Sequence, residues 1–271
     1  MGSSIITILI SAAVIGIIGL LAGVGLAIAS VKLAVPRDEK AEAIQELLPG
    51  ANCGACGFSG CSGYAAALAK GEAEPNLCAP GGIDCATAIA ELLGTSVGDF
   101  SAKAAVVACN GCNQNTQDKL EYSGLKSCAA AVQLFGGKGS CSFGCIGFGD
   151  CMNACSNNAI TICDGVAKID LRLCGACGQC IPACPKHLIS IVPIKEQAVV
   201  RCSNHDKGAE TRKVCSVGCI GCMKCQKICE AGAISVVNFL AHVDPDKCTN
   251  CGKCIEACPA KCISELCEIN P

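Results

Sequence analysis

The chain has 271 residues with 29 cysteines, no Trp, two Tyr, six Phe and a net charge of −2. Its length, its odd cysteine count and cysteines too close together to bridge distant parts argue against a small secreted disulfide scaffold, and the near-neutral charge offers no grip on nucleic acid. So few aromatic side chains leave the polar part of the chain short of core material, so something inorganic is expected to fill its domains.

In chain order, residues 1–31 carry no charge, and Lys32 is the first ionisable side chain after the terminus. "IITILISAAVIGIIGLLAGVGLAIASV" runs for 27 residues, more than the roughly 20 that cross a bilayer as a helix. No Lys or Arg precedes it, as one would in a signal peptide. A single-pass transmembrane anchor is therefore expected over residues 1–32. Lys32, Arg37 and Lys40 follow, which by the positive-inside rule puts the rest of the chain on the cytoplasmic side of the cell (inner) membrane, where thiols stay reduced. Ala12, Gly16, Gly19, Gly23 and Ala27 share one helix face; such a stripe lets another transmembrane helix approach, although Gly and Ala are also simply common in spans.

Residues 33–90 read as a small, mostly helical domain built on "LPGANCGACGFSGCSGYAAALAKGEAEPNLC". Cys53, Cys56, Cys61 and Cys78 are spaced x2, x4 and x16 among many glycines, whose freedom lets backbone N–H groups turn toward sulfur. One four-iron four-sulfur cluster is expected there, with Cys85 a buried bystander. Residues 91–127 read as a connecting segment carrying Cys109 and Cys112.

A repeat follows. Cys128 and Cys202, Cys141 and Cys215, and Cys174 and Cys248 are each 74 residues apart, giving tandem units at 128–201 and 202–271. Each unit repeats internally: "SNNAI", "PKHLI", "EAGAI" and "PAKCI" all follow a last cysteine, and "ITIC", "ISIV" and "ISVV" read as strands. Each unit is thus two cysteine-loop, helix-turn and strand halves related by a pseudo-twofold. The fold class expected for the whole chain is α+β, an anchor helix and a small helical domain followed by two tandem bacterial-ferredoxin-like units.

The run C-x2-C-x2-C-x3-C-P is that of bacterial ferredoxins: three close thiolates grip one four-iron four-sulfur cluster and the fourth ligates its neighbour. In the second unit one set is Cys219, Cys222, Cys225 and Cys258, the other Cys248, Cys251, Cys254 and Cys229. In the first unit Cys174, Cys177, Cys180 and Cys155 make a set. The other set departs from the pattern, because Phe148 stands where the repeat has Cys222; Cys145, Cys151 and Cys184 remain, with Cys141 as the expected substitute. A three-iron cluster with an open corner is the alternative. Zinc is disfavoured, since a third cysteine follows each pair. About five clusters are expected, and Cys109, Cys112, Cys128, Cys202 and Cys215 form a candidate sixth set. Cys163 and Cys262 read as small core residues.

No G-x-G-x-x-G follows a strand and no P-loop occurs, so no flavin or NAD site is expected in this chain. Between Lys195 and Lys227 seven Lys/Arg face three acids: a candidate landing surface for an acidic partner, or an ordinary solvated face.

The N-terminal span, "NCGACGFSGC", "YSGLKSCAAA…CSFGCIGFGDC" and the ferredoxin runs together resemble the B-subunit family of the Rnf complex, in its longer form with tandem ferredoxin units, along the whole chain. The resemblance implies a membrane oxidoreductase that moves electrons between reduced ferredoxin and NAD, coupled to Na⁺ or H⁺ transport. It also implies soluble ferredoxin and the other Rnf subunits as partners, above all the NADH- and flavin-binding subunit. The other readings are a membrane-anchored polyferredoxin serving another oxidoreductase, and an iron–sulfur redox sensor, for which the chain leaves no residues to form an output domain.

Overall fold

The computed structural model describes residues 15–28, 38–98, 101–195 and 197–266. Residues 15–28 form helix α1, with Ile15, Leu20 and Leu26 exposed. Among the described residues no helix is long and apolar enough to cross a membrane; residues 1–14 and 29–32 of the expected anchor lie outside them.

The next three helices form one small body. α2 (Glu39–Leu47) begins where the Asp38 carboxylate accepts from the Lys40 and Ala41 amides at 3.0 and 3.4 Å, a side-chain N-cap. α3 (Cys61–Ala69) and α4 (Gly82–Leu93) close over Ile44, Leu48, Tyr64, Leu68 and Ile89. Tyr64 is buried, yet its hydroxyl donates to the Glu74 carbonyl at 2.6 Å and accepts from the Leu77 amide at 3.2 Å. That pins the loop returning to Cys78.

The rest of the chain is built from antiparallel strand pairs. β1 (Lys103–Val107) pairs with β4 (Ile189–Pro193), and β2 (Ile160–Cys163) with β3 (Val166–Ile169). In the second copy β5 (Ala198–Val200) pairs with β8 (Ile263–Glu265), and β6 (Ile234–Val237) with β7 (Leu240–Val243). Short helices alternate with them: α5 (Cys128–Val132), α6 (Asp150–Asn153), α7 (Cys180–Ala183), α8 (Gly208–Val214), α9 (Lys224–Ile228) and α10 (Lys253–Ala257). The β2–β3 and β6–β7 hairpins obey the 74-residue offset, as do β4 and β8.

The outer strands do not. β1 falls within 91–127, the stretch read from sequence as a connector, and β5 lies before residue 202, inside the expected first unit. The offset shows in the cysteines, and "KAAVV" and "AVV" contain none. Each unit buries its own core, and cysteines are part of both: Cys109, Cys151 and Cys180 in the first, Cys219, Cys225, Cys254 and Cys262 in the second.

Candidate iron–sulfur sites

Four cysteine loops share one backbone shape. The residue before the second cysteine position and the one after it are both left-handed: Gly147 and Gly149, Ala176 and Gly178, Gly221 and Met223, Asn250 and Gly252. This winding turns successive N–H groups inward as a nest that favours anionic sulfur. At Gly221 a side chain would also strike the Phe239 backbone, 2.9 Å from an added Cβ.

The loops gather cysteines into rings. Cys219, Cys222, Cys225 and Cys258 line a cavity of about 330 Å³, and Cys229, Cys248, Cys251 and Cys254 one of about 320 Å³. Cys53, Cys56, Cys61 and Cys78 line a third of about 300 Å³. Cys155 and Cys174 pack against the core that holds Cys180, and burial pushes the Cys180 thiol up to about 11, with Cys174, Cys177 and Cys155 adding to the effect. Amide donors reach the sulfurs, Ala105 to Cys174 at 3.3 Å, Ala159 to Cys155 at 3.4 Å and Leu188 to Cys184 at 3.5 Å.

The ring at Phe148 corrects the sequence reading. Cys145, Cys151 and Cys184 share a cavity of about 380 Å³ with Cys128, and Cys141 does not line it. Burial raises the Cys151 thiol to about 12, and Cys145, Cys184 and Cys128 push it the same way. Phe148 explains the exchange. Its loop keeps the left-handed pair, but its ring packs on Tyr122 at 5.5 Å, beside the cluster of Cys128, Ala131 and Ile146. Asp150 then ties α5 down, accepting from the Ser127 hydroxyl and from the Cys128 and Ala129 amides, each at 2.9 Å. The loop that lacks a cysteine thereby fixes the helix that supplies one.

Of the remaining candidate thiols, Cys109, Cys202 and Cys215 join Cys141 at a fifth cavity of about 460 Å³, while Cys128 is already placed in the first-unit ring and Cys112 does not line the space. Cys262 is buried beside the second-unit ring, 3.6 Å from the Cys258 sulfur; its S–H holds the Cys219 and Cys258 thiols well below the usual range. Cys85 is buried and donates to the Leu47 carbonyl at 3.3 Å, as a bystander would.

The donor chemistry fits four-iron four-sulfur clusters. Every cysteine among the described residues is free, and no three His, Cys, Asp or Glu side chains among them converge closely enough for a single metal ion. Thiols surround cavities instead, with N–H groups aimed at sulfur, as such clusters require.

The basic stretch is only partly surface. Arg201 is 8% exposed, Lys195 reaches Asp246 at 3.7 Å, and Lys213 pairs with Glu210 at 2.8 Å. Lys224 and Lys227 stay exposed on α9, next to exposed Cys222, Met223 and Phe239.

A family model for an Fe-S cluster matches residues 48–80, one for a 4Fe-4S binding domain residues 167–190, and one for a 4Fe-4S dicluster domain residues 218–262. The chain is 40% identical to the B subunit of the Na(+)-translocating ferredoxin:NAD(+) oxidoreductase complex of Acetobacterium woodii over 258 residues, 95% of this chain and 78% of that protein. It is 40% identical to the B subunit of the ion-translocating oxidoreductase complex of Methanosarcina acetivorans over 93% of this chain and 96% of that one. Against the B subunit of the proton-translocating ferredoxin:NAD(+) oxidoreductase complex of Clostridium ljungdahlii the identity is 37%, over 96% and 93% of the two chains.

Proposed function

The chain belongs to the B-subunit family of Rnf ion-translocating oxidoreductase complexes, and from that premise we propose how it handles electrons. It is an iron–sulfur electron-transfer subunit of such a complex. Five rings each hold one four-iron four-sulfur cluster: Cys53, Cys56, Cys61 and Cys78; Cys155, Cys174, Cys177 and Cys180; Cys128, Cys145, Cys151 and Cys184; Cys219, Cys222, Cys225 and Cys258; and Cys229, Cys248, Cys251 and Cys254. Clusters bound there supply one-electron transfer. The protein's own work is to anchor them through thiolates, direct amides at sulfur and exclude water with side chains such as Ile160, Leu188, Ile234 and Ile263.

Electrons come from reduced soluble ferredoxin at the second unit and leave toward an NAD-reducing partner subunit, and the complex couples the flow to Na⁺ or H⁺ translocation. The apolar N-terminal segment anchors the chain in the cell membrane, with the cysteine rings on the cytoplasmic side. The observation that carries the electron-relay reading is the set of four-thiol rings; the exposed Cys222 close to Lys224 and Lys227 supports ferredoxin as the donor. Basic side chains beside an exposed ring speed encounter with an acidic protein.

The test is anaerobic stopped-flow reduction of the assembled complex by ferredoxin. Raising salt from about 0.05 to about 0.5 M should slow reduction by about tenfold, because surface attraction is screened. Lys224→Glu with Lys227→Glu should lower the low-salt rate to a similar extent. A rate indifferent to both removes ferredoxin from this face.

A further inference from the structure

The 460 Å³ cavity exceeds each of the other ring cavities described above and lies at the seam between the two units. Four stretches of chain meet there. Cys109 follows β1, Cys141 precedes the first cysteine loop, Cys202 follows β5 and Cys215 ends α8. None of the four belongs to a ring assigned above.

The cavity is dressed for an anionic sulfur cofactor. The Cys145 amide donates to Cys109 sulfur at 3.4 Å and the Cys219 amide to Cys202 sulfur at 3.2 Å. Asn204, 1% exposed, donates its backbone N–H to Cys202 sulfur at 3.4 Å and its side-chain amide to Cys141 sulfur at 3.5 Å. Buried Arg201 brings a guanidinium to the wall; its Nη2 donates to the Cys109 carbonyl at 3.4 Å, and its Nε has no partner among the described residues. No carboxylate among the described residues lines the space. A buried cation with an unused donor, facing four thiols, is favourable beside a negative cofactor.

We propose that Cys109, Cys141, Cys202 and Cys215 hold a sixth four-iron four-sulfur cluster, which joins the two ferredoxin-like units electrically. The placement is that of a link. Cys145 lines this cavity and the neighbouring first-unit ring, while Cys202 sulfur takes the amide of Cys219, a member of the second-unit ring. At the other end of the first unit, Pro80 of the N-terminal ring lies 3.6 Å from where a Cβ would stand on Gly175, next to Cys174. The rings therefore follow one another from the Cys53 set through the Cys174 and Cys145 sets, across the seam, to the Cys219 and Cys248 sets. Cys112 stands outside the ring, its sulfur occupied by the Asn115 side-chain amide at 3.1 Å.

The proposal rests on the reading of the other rings as cluster sites, and the experiment separates the two. Iron, acid-labile sulfide and native mass are measured on the anaerobically purified full chain, with low-temperature EPR after reduction. The expected wild-type content is about 24 irons. Cys109→Ser with Cys215→Ser should remove about four irons and four sulfides and leave the other signals unchanged, as should Cys202→Ser, whereas Cys112→Ser should remove none. About 20 irons in a fully loaded wild-type chain refutes the sixth site alone, and near-zero iron refutes both readings. Iron lost with Cys112→Ser and kept with Cys202→Ser overturns the ligand set.

Discussion

The two ferredoxin-like units carry the same parts 74 residues apart, yet complete the matching ring by different routes. In the second unit the loop supplies its own thiol, Cys222, which is exposed at the surface. In the first, Phe148 takes that place and turns to pack on Tyr122, and buried Cys128 arrives on α5 instead. The sulfur supports differ too. Cys262 lies 3.6 Å from Cys258 sulfur, which as a cluster-bound thiolate could only accept its S–H, where the first ring has Leu188, which contributes only its amide, to Cys184. A ring of four thiols can be kept while the origin of one thiol, and with it the exposure of the site, changes. The buried version sits against the seam, and the exposed one faces solvent where a soluble donor can reach it.

The largest expected effect comes from exchanging the two routes. Cys128→Ser should remove about four irons, or convert that centre to a three-iron form, and adding Phe148→Cys should restore it by giving the first unit the second unit's loop. Iron analysis and EPR read both steps. If Cys128→Ser leaves the iron content unchanged, the fourth corner of this ring does not come from α5.

A smaller effect should come from Asp150, whose three hydrogen bonds hold α5 in place. Asp150→Ala should lower stability by about 1–2 kcal/mol, the usual range for a lost helix cap, measured as a lower melting temperature of the loaded protein. Burial pulls its carboxyl upward, but the Ala129, Cys128 and Ser127 donors outweigh this and hold it below the ordinary value. The stabilisation is thus full above about pH 4 and lost as pH falls through the lowered value. Around neutral pH, where the carboxylate stays ionised and the clusters stay intact, the gap between the wild type and Asp150→Ala should be constant; no gap there, or one that varies with pH, contradicts the role given to the carboxylate.

The smallest effect belongs to Cys262. The equivalent residues of the other halves are Ala159, Leu188 and Ala233, so Cys262→Ala is sterically mild. Losing an S–H donor to cluster sulfur disfavours the added electron, so the potential of that centre should fall by about tens of millivolts. Spectroelectrochemical titration measures it, and an unmoved potential would reduce Cys262 to packing.

Much of this was legible because cluster ligands are local in the chain. Three thiols within seven residues and a fourth at fixed remove mark three of the candidate rings, and the x2, x4, x16 spacing from Cys53 to Cys78 marks a fourth. Cys128 was not, since it reaches its ring through the packing of Tyr122 on Phe148, which no spacing encodes. Its only trace was the shared offset from Cys202. Strand β1 was missed because it lacks a cysteine and closes a sheet with β4, far along the chain. Arg201 reads as one of a run of surface bases, but β5 and the seam bury it.

Cys128 and Cys202 stand 74 residues apart, at the same position of the two copies, although only the first copy has a phenylalanine in place of the loop thiol. The same seat thus serves two addresses. Cys128 lines the first-unit cavity with Cys145 and Cys151, and Cys202 lines the seam with Cys109 and Cys141.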